Sequence, residues 1–259
     1  MTIQTTLSIT AGLIGIVLFI SSFEFLFLGS QKKFNSVWSF ENLKSELQLN
    51  LPLPNFLIRI LFSNSSFNIM NAVMLMLTLF LLYKNSVVTV LAMFIMHLLI
   101  CIRFRGTFNG GSDMMIVVIL TGLIISLANP DWEKAGVIYI AIHTLYSYFK
   151  AGLVKLRSSE WRNGTALPLL LSRSQIGFTK NFAEYLQDQK PIARMLSWAV
   201  ILFEVSTVLL LIMPQLKLFY FCGAVLFHFT VYLGYGLNRF FWVWLAAWPA
   251  TFFFLSTLK

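Results

Sequence analysis

Long apolar runs, each close to the length of a bilayer crossing and separated by short polar or basic breaks, dominate this chain. A helix needs about 20 predominantly apolar residues to cross hydrocarbon. On that scale the runs predict spans at about Leu7–Leu28, Phe67–Tyr83, Val87–Ile102, Met114–Leu127, residues 135–156, Ile192–Met213, Leu216–Gly236 and Phe240–Leu255. The breaks between them are turn-forming: the stretch RFRGTFNGGSD at Arg103–Asp113, then Asn129-Pro130-Asp131, Pro214 and Asn238-Arg239. Two segments keep a different rhythm. Residues 30–66 alternate Lys32, Lys33, Lys44 and Arg59 with Trp38, Phe40 and Leu43, and Pro52 and Pro54 break them. That pattern predicts amphipathic pieces lying in the membrane interface. Residues 157–191 form a long basic loop with a short apolar insert at Leu167–Leu171 and an amphipathic piece around Phe178–Leu186. The expected fold is therefore all-α, a polytopic integral membrane bundle of about eight transmembrane helices, with residues 1–259 as a single transmembrane domain.

Composition supports lipid as the solvent. Charged residues are 11% and hydrophobic residues 58% of the 259, whereas a soluble domain carries about 25% charged residues. Eight spans use most of this length, which leaves no room for a large extramembrane domain, and no internal repeat or low-complexity linker is visible. The first run lacks a basic leader and a small-residue cleavage site, so it is expected to be a retained span. Cys101 and Cys222 both fall in apolar stretches and are expected as buried free thiols rather than a disulfide. Most of the nineteen lysines and arginines fall in one alternate set of loops. The positive-inside rule then predicts both termini outside. The net charge of +9 follows from this asymmetry; it suits anionic lipid headgroups and gives no argument for nucleic acid.

Ionisable groups inside hydrocarbon are costly and mark functional positions by default. Here they are Glu24, His97, His143, Lys150, Lys155, Glu204 and His228. At helical spacing Thr144, Tyr148, Ala151 and Lys155 share one stripe, and His143, Ser147 and Lys150 a neighbouring one. Gly152 beside them allows close approach of another backbone or a flat ligand. Both lysines also lie within snorkelling reach of the interface, but a lysine held away from water favours the neutral amine that a base requires. Glu204 lies mid-span, too deep for so short a side chain to reach water. It is either protonated and bonded between helices or paired with a cation such as Lys155. His228, also mid-span, has the chemistry to bond a carbonyl or quinone oxygen, or to serve as a packing residue.

Other features are less specific. Ser112 and Asp113 open a helix after a glycine pair, an N-cap arrangement. Alternatively, Asn109 and the amides near Gly110 and Gly111 bind an anionic group. Trp242, Trp244 and Trp248 fit an interfacial aromatic belt. No metal is expected, because the three histidines lie on three separate spans without a His/Cys/carboxylate spacing. There is no phosphate loop, G-x-S-x-G elbow or C-x-x-C.

The stretch Tyr148–Gly164, YFKAGLVKLRSSEWRNG, resembles the signature of the vitamin K-dependent gamma-carboxylase and its bacterial relatives, the horizontally transferred transmembrane (HTTM) domain proteins. An aromatic residue and Ala-Gly precede a Lys-Leu, and a Trp and a Gly follow. FNGGSD resembles that family's asparagine-containing turn, and HFTVYLGYGLNRFFWVWLAAWP its late histidine-led helix pair. The resemblance covers roughly residues 100–255. It implies that Lys155 is the base that starts oxygenation of a reduced, vitamin K-like quinone, that His228 bonds a quinone oxygen, and that Asn109, Tyr148 and Trp161 belong to the cofactor pocket. Glu204, by its depth, is expected to tune Lys155. The chain departs from the carboxylase in three ways. Gly111 stands where the carboxylase turn carries a histidine, and no counterpart of its large lumenal domain is expected in these residues. The charge asymmetry also places Lys155 near the inner face, whereas the carboxylase works on the lumenal-equivalent side.

Two functional classes follow. The first is a quinone-linked, carboxylase-like enzyme of the bacterial inner (cytoplasmic) membrane, acting on a peptide or small lipid-soluble substrate. The second is a non-catalytic membrane component of a peptide toxin maturation or export system, working through partner proteins, for which small relatives of the family give the precedent. A transporter is disfavoured, since neither an inverted repeat nor paired broken helices are visible.

Overall fold

In the computed structural model, which describes residues 1–30, 38–103 and 110–258, the apolar runs form helices and no strand occurs among the described residues. Among the described residues, seven helical segments are long and apolar enough to cross a membrane: Ile3–Ser30, Asn64–Tyr83, Gly111–Ala128, Pro130–Arg157, Lys190–Leu211, Pro214–Tyr235 and Asn238–Thr257. The eighth expected crossing is the shorter apolar helix Val87–Arg103. Phe19, Phe23, Phe27, Leu79, Leu82, Phe219 and Leu226 are exposed on these helices. Apolar surface of this extent suits lipid contact and not water. The protein is an integral membrane protein.

The helices are α1 (Ile3–Ser30), α2 (Phe40–Asn50), α3 (Asn55–Phe62), α4 (Asn64–Tyr83), α5 (Val87–Arg103), α6 (Gly111–Ala128) and α7 (Glu133–Arg157), followed by α8 (Ser159–Asn163), α9 (Ala166–Ser172), α10 (Gly177–Asp188), α11 (Lys190–Val205), α12 (Lys217–Tyr235) and α13 (Asn238–Thr257). The amphipathic segment before Ser63 gives α2 and α3, and the basic loop gives α8, α9 and α10. Packing divides the chain into two compact units, one of Ile3–Gly136 and one beginning at Val137.

In the unit Ile3–Gly136, α1 buries Leu7, Ala11, Ile14, Leu18 and Phe25, a helical stripe that packs along α4. Buried Thr6, Thr10, Ser21 and Ser22 keep that helix face narrow, as helices in lipid do where they approach closely. Ser21 Oγ bonds the Val17 carbonyl at 2.8 Å, so its polarity is met within the helix. A second core of Phe40, Leu47, Ile58 and Phe62 joins α2 to α3. Arg103 ends α5 by donating to the Trp38 carbonyl and to Asn64 Oδ1, both at 2.8 Å.

In the unit from Val137, α7 buries Val137, Ile140, Ala141, Thr144, Leu145 and Tyr148. α13 buries a run of small and aromatic residues from Val243 to Thr251. Neither cysteine forms a disulfide; Cys101 is half-buried, while Cys222 is exposed and not buried as its apolar neighbourhood suggested. An apolar neighbourhood in a membrane helix places a residue in hydrocarbon, not inside the protein.

Candidate functional site

The motif Ala151–Gly164 is built around contact with a single helix, α11. Gly152 lies against its C-terminal end: a Cβ at this position would stand 2.6 Å from the Val205 nitrogen and 2.9 Å from Glu204 Cβ. Gly164 lies against its N-terminal end, with φ +82° and a would-be Cβ 2.5 Å from Arg194 Cα. Between them the Arg162 carbonyl accepts from Trp198 Nε1 at 3.2 Å. The two glycines thus permit backbone contacts that any side chain would prevent, and they hold α7 and α8 along α11 at both ends.

That clamp brings Lys155 to Glu204. Lys155 Nζ donates to Glu204 Oε1 at 2.8 Å and to Oε2 at 2.7 Å. The Glu204 side chain is 4% exposed and that of Lys155 19%, so the pair is closed on the carboxylate side and reachable from the lysine side. Nζ also lies 5.2 Å from the centroid of the Trp161 ring, within the range of a cation–π contact. Trp161 is set there by an N-cap: Ser158 Oγ accepts from the Trp161 amide at 3.3 Å and donates to Glu160 Oε2 at 2.7 Å. That hydroxyl holds the Glu160 carboxyl below its usual range.

α11 ends immediately after Glu204. The chain passes into a 3-10 segment, Ser206–Leu211, and Thr207 Oγ1 returns a bond to the Glu204 carbonyl at 2.7 Å. Tyr220 Oη on α12 donates to the Ser206 carbonyl at 2.9 Å. The tightened turn therefore has its carbonyls met by side chains where helix geometry changes.

Two turns before Lys155 on the same stripe, about 10 Å along the helix axis, lies a second polar contact. Tyr148 Oη and His228 Nε2 are 2.6 Å apart, and both residues are 3% exposed. His228 stacks on Trp244, with ring centroids 5.1 Å apart and 10° between planes; Tyr148 meets the same indole at 4.8 Å. The other ring nitrogen, His228 Nδ1, is buried and has no partner among the described residues; the same holds for Trp244 Nε1. With Tyr148 donating to Nε2, the imidazole proton sits on Nδ1 and is left as an unused donor. His228 and Trp244 line a narrow notch with Ala224, Phe241, Leu245 and Trp248.

Of the residues singled out in the sequence, Lys155, Glu204 and Trp161 come together, and Tyr148 and His228 come together. Asn109 lies outside the described residues. Lys150 is exposed with Nζ 5.8 Å from the Tyr146 ring. His143 Nδ1 lies 3.0 Å from the Tyr139 carbonyl of its own helix. Trp244 and Trp248, expected in an interfacial belt, are instead buried, and Trp244 stacks on His228, because a tryptophan among many aromatics carries no signal that separates belt from core. Sequence reasoning also left apart His97, Cys101 and Asp113, which the other unit gathers.

The family model described as the HTTM domain matches residues 126–256, a stretch that includes Tyr148, Lys155, Glu204, His228 and Trp244. No curated protein and no solved structure matches the chain.

Proposed function

From a chain that belongs to the HTTM domain family, we propose a quinone-linked membrane enzyme of gamma-carboxylase-like type, placed in a bacterial inner membrane and acting on a peptide or small lipid-soluble substrate. The observation that carries this reading is the buried, two-point contact of Lys155 with Glu204. A lysine in such a pair has a proton acceptor of its own. Transfer of one proton from Nζ to a carboxylate oxygen leaves two neutral groups and a free amine lone pair, and removes two charges from a low-dielectric site. Lys155 would then take a proton from a substrate, with Glu204 as the positioning residue that sets its protonation.

Donors and aromatic walls suited to a quinone support this reading, and the quinone would enter as the narrow notch at His228 widens. Two buried donors, His228 Nδ1 and Trp244 Nε1, lack partners among the described residues and suit the oxygen of a quinoid ring, while flat aromatic walls suit its faces. A hydroquinone, when bound, would supply reducing electrons and an acidic hydroxyl. Tyr148 fixes the His228 tautomer through Nε2. Trp161 covers the ammonium face of Lys155. Ala151, small and half-buried, lies on the stripe between the two contacts. At the other end of α11, Lys190 and Arg194 share an open groove with Met195 and Trp198, a mix of cations and apolar surface that suits an anionic lipid headgroup.

The test is oxygen uptake driven by a quinol in detergent, comparing wild type with Lys155→Ala checked for intact expression. Removing a general base predicts a loss of about 100-fold or more. Equal rates in the two proteins would defeat the assignment.

A second reading has its own support. Lys155 and Glu204 satisfy each other so fully that the pair also serves as an interhelical lock, as required in a non-catalytic component of a peptide toxin maturation system. On that reading a Lys155→Met, Glu204→Leu double variant keeps the host phenotype, and neither it nor the wild type consumes oxygen with a quinol.

A further inference from the structure

The unit Ile3–Gly136 holds a cluster that the Lys155 site does not use. His97 and Cys101 lie one turn apart on α5, and Asp113 lies in the first turn of α6. One ligand atom from each residue falls within 4.8 Å of the others. Cys101 Sγ is 3.4 Å from His97 Nε2, close to the roughly 3.5 Å edge of a tetrahedral site with metal–ligand bonds of about 2.0–2.3 Å. His97 and Asp113 are each 3% exposed, and Cys101 is half-buried. α5 and α6 pack directly on each other, which holds the three side chains around one point.

We propose that His97, Cys101 and Asp113 form a binding site for a borderline-soft divalent cation of the zinc class. An imidazole, a thiolate and a carboxylate on two helices are the donor set such a cation selects; calcium and magnesium prefer all-oxygen shells. The charges close. Binding expels the Cys101 thiol proton to water, and the cation then meets one thiolate, one carboxylate and a neutral imidazole, giving zero net charge where burial makes net charge costly. The His97 Nε2 to Asp113 carbonyl contact of 3.2 Å shows where the ring nitrogen points before binding. The neutral ring facing that carbonyl carries its one proton on Nε2. On binding, that proton moves to Nδ1 by tautomer exchange through water, and the Nε2 lone pair meets the cation. The thiol proton is the only one released. Three protein ligands leave the fourth position of a tetrahedron to water. This site stands apart from the chemistry assigned to Lys155 and does not depend on it.

The experiment uses the full chain in detergent, stripped with a chelator and dialysed against Co2+, a spectroscopic stand-in for Zn2+. Wild type is expected to retain one Co2+ per chain with a thiolate-to-cobalt charge-transfer band. Cys101→Ser is expected to lose the band, and Asp113→Asn to bind at least about tenfold more weakly, while Cys222→Ser keeps both signals. A measurement without variants guards against misfolding: added Zn2+ is expected to protect Cys101 from maleimide while Cys222 goes on reacting. Failure of wild type to hold Co2+, persistence of the band in Cys101→Ser, or equal labelling of Cys101 with and without Zn2+ would each overturn the proposal.

Discussion

Two buried polar contacts on one face of α7 are completed to different degrees. At Lys155 both carboxylate oxygens of Glu204 are met by the ammonium, and an indole lies beside its partly exposed side. At His228 one ring nitrogen is met by Tyr148 and the other by nothing among the described residues. A buried donor without a partner forfeits about 1–3 kcal/mol; a buried ion pair with both partners present does not. The first contact is thus complete in itself, whereas the second leaves a buried donor over. On the proposed function the first exchanges a proton internally and the second receives a ligand.

The largest effect should come from breaking the complete contact. Lys155→Ala leaves the Glu204 carboxylate buried and unpaired, with a loss of about 3 kcal/mol or more, read as a lower unfolding midpoint in detergent. The Lys155→Met, Glu204→Leu pair should regain most of that stability, since an apolar pair of similar volume needs no charge compensation. Next come the glycines that make the contact possible. Gly152→Ala drives a methyl into Val205 and Glu204, and Gly164→Ala combines a positive φ with a clash at Arg194. Each should lower stability by about 1–3 kcal/mol, and Gly152→Ala should also disturb the Lys155 pair in a thermal-shift cycle with Glu204→Gln.

The incomplete contact should behave in the opposite sense. Tyr148→Phe removes one hydrogen bond and should change stability by only about 1 kcal/mol, yet weaken binding of a quinol analogue by freeing the His228 tautomer. Comparable analogue affinity in wild type and Tyr148→Phe would refute the ligand-receiving role. Lys150→Ala, at an exposed position over Tyr146, should change neither stability nor binding measurably.

Much of the fold was legible because helix formation in lipid is a local matter. Every apolar run of sufficient length became helical, since hydrocarbon forces each backbone group to bond within its own segment. The run Ile192–Met213 changes geometry part-way, from α-helix to a 3-10 segment after Val205. Val87–Arg103, only 17 residues long, still formed. The short helices Ala166–Ser172 and Gly177–Asp188 likewise fall on the apolar insert and amphipathic piece expected in the basic loop. The candidate site was legible in part. The depth of Glu204 in its apolar run required a partner, and Lys155 was the nearest cation in chemistry, though 49 residues away in sequence. Burial of Cys222 was misjudged, because apolar neighbours in a membrane helix do not distinguish lipid from protein.

His97, Cys101 and Asp113 show the other limit. Histidine and cysteine one turn apart on α5 were visible in the chain, but no local rule says that the first turn of α6 returns a carboxylate to the same point. The sequence by itself determined which segments are helical, that lipid surrounds them, and which few ionisable groups lie at depth, because hydropathy and helical period act over a single segment. Only the tertiary structure decided which of those groups meet: Lys155 with Glu204, Tyr148 with His228, His97 with Cys101 and Asp113. Such meetings depend on how side chains of different helices interlock, and glycines 152 and 164 determine how close α11 can come.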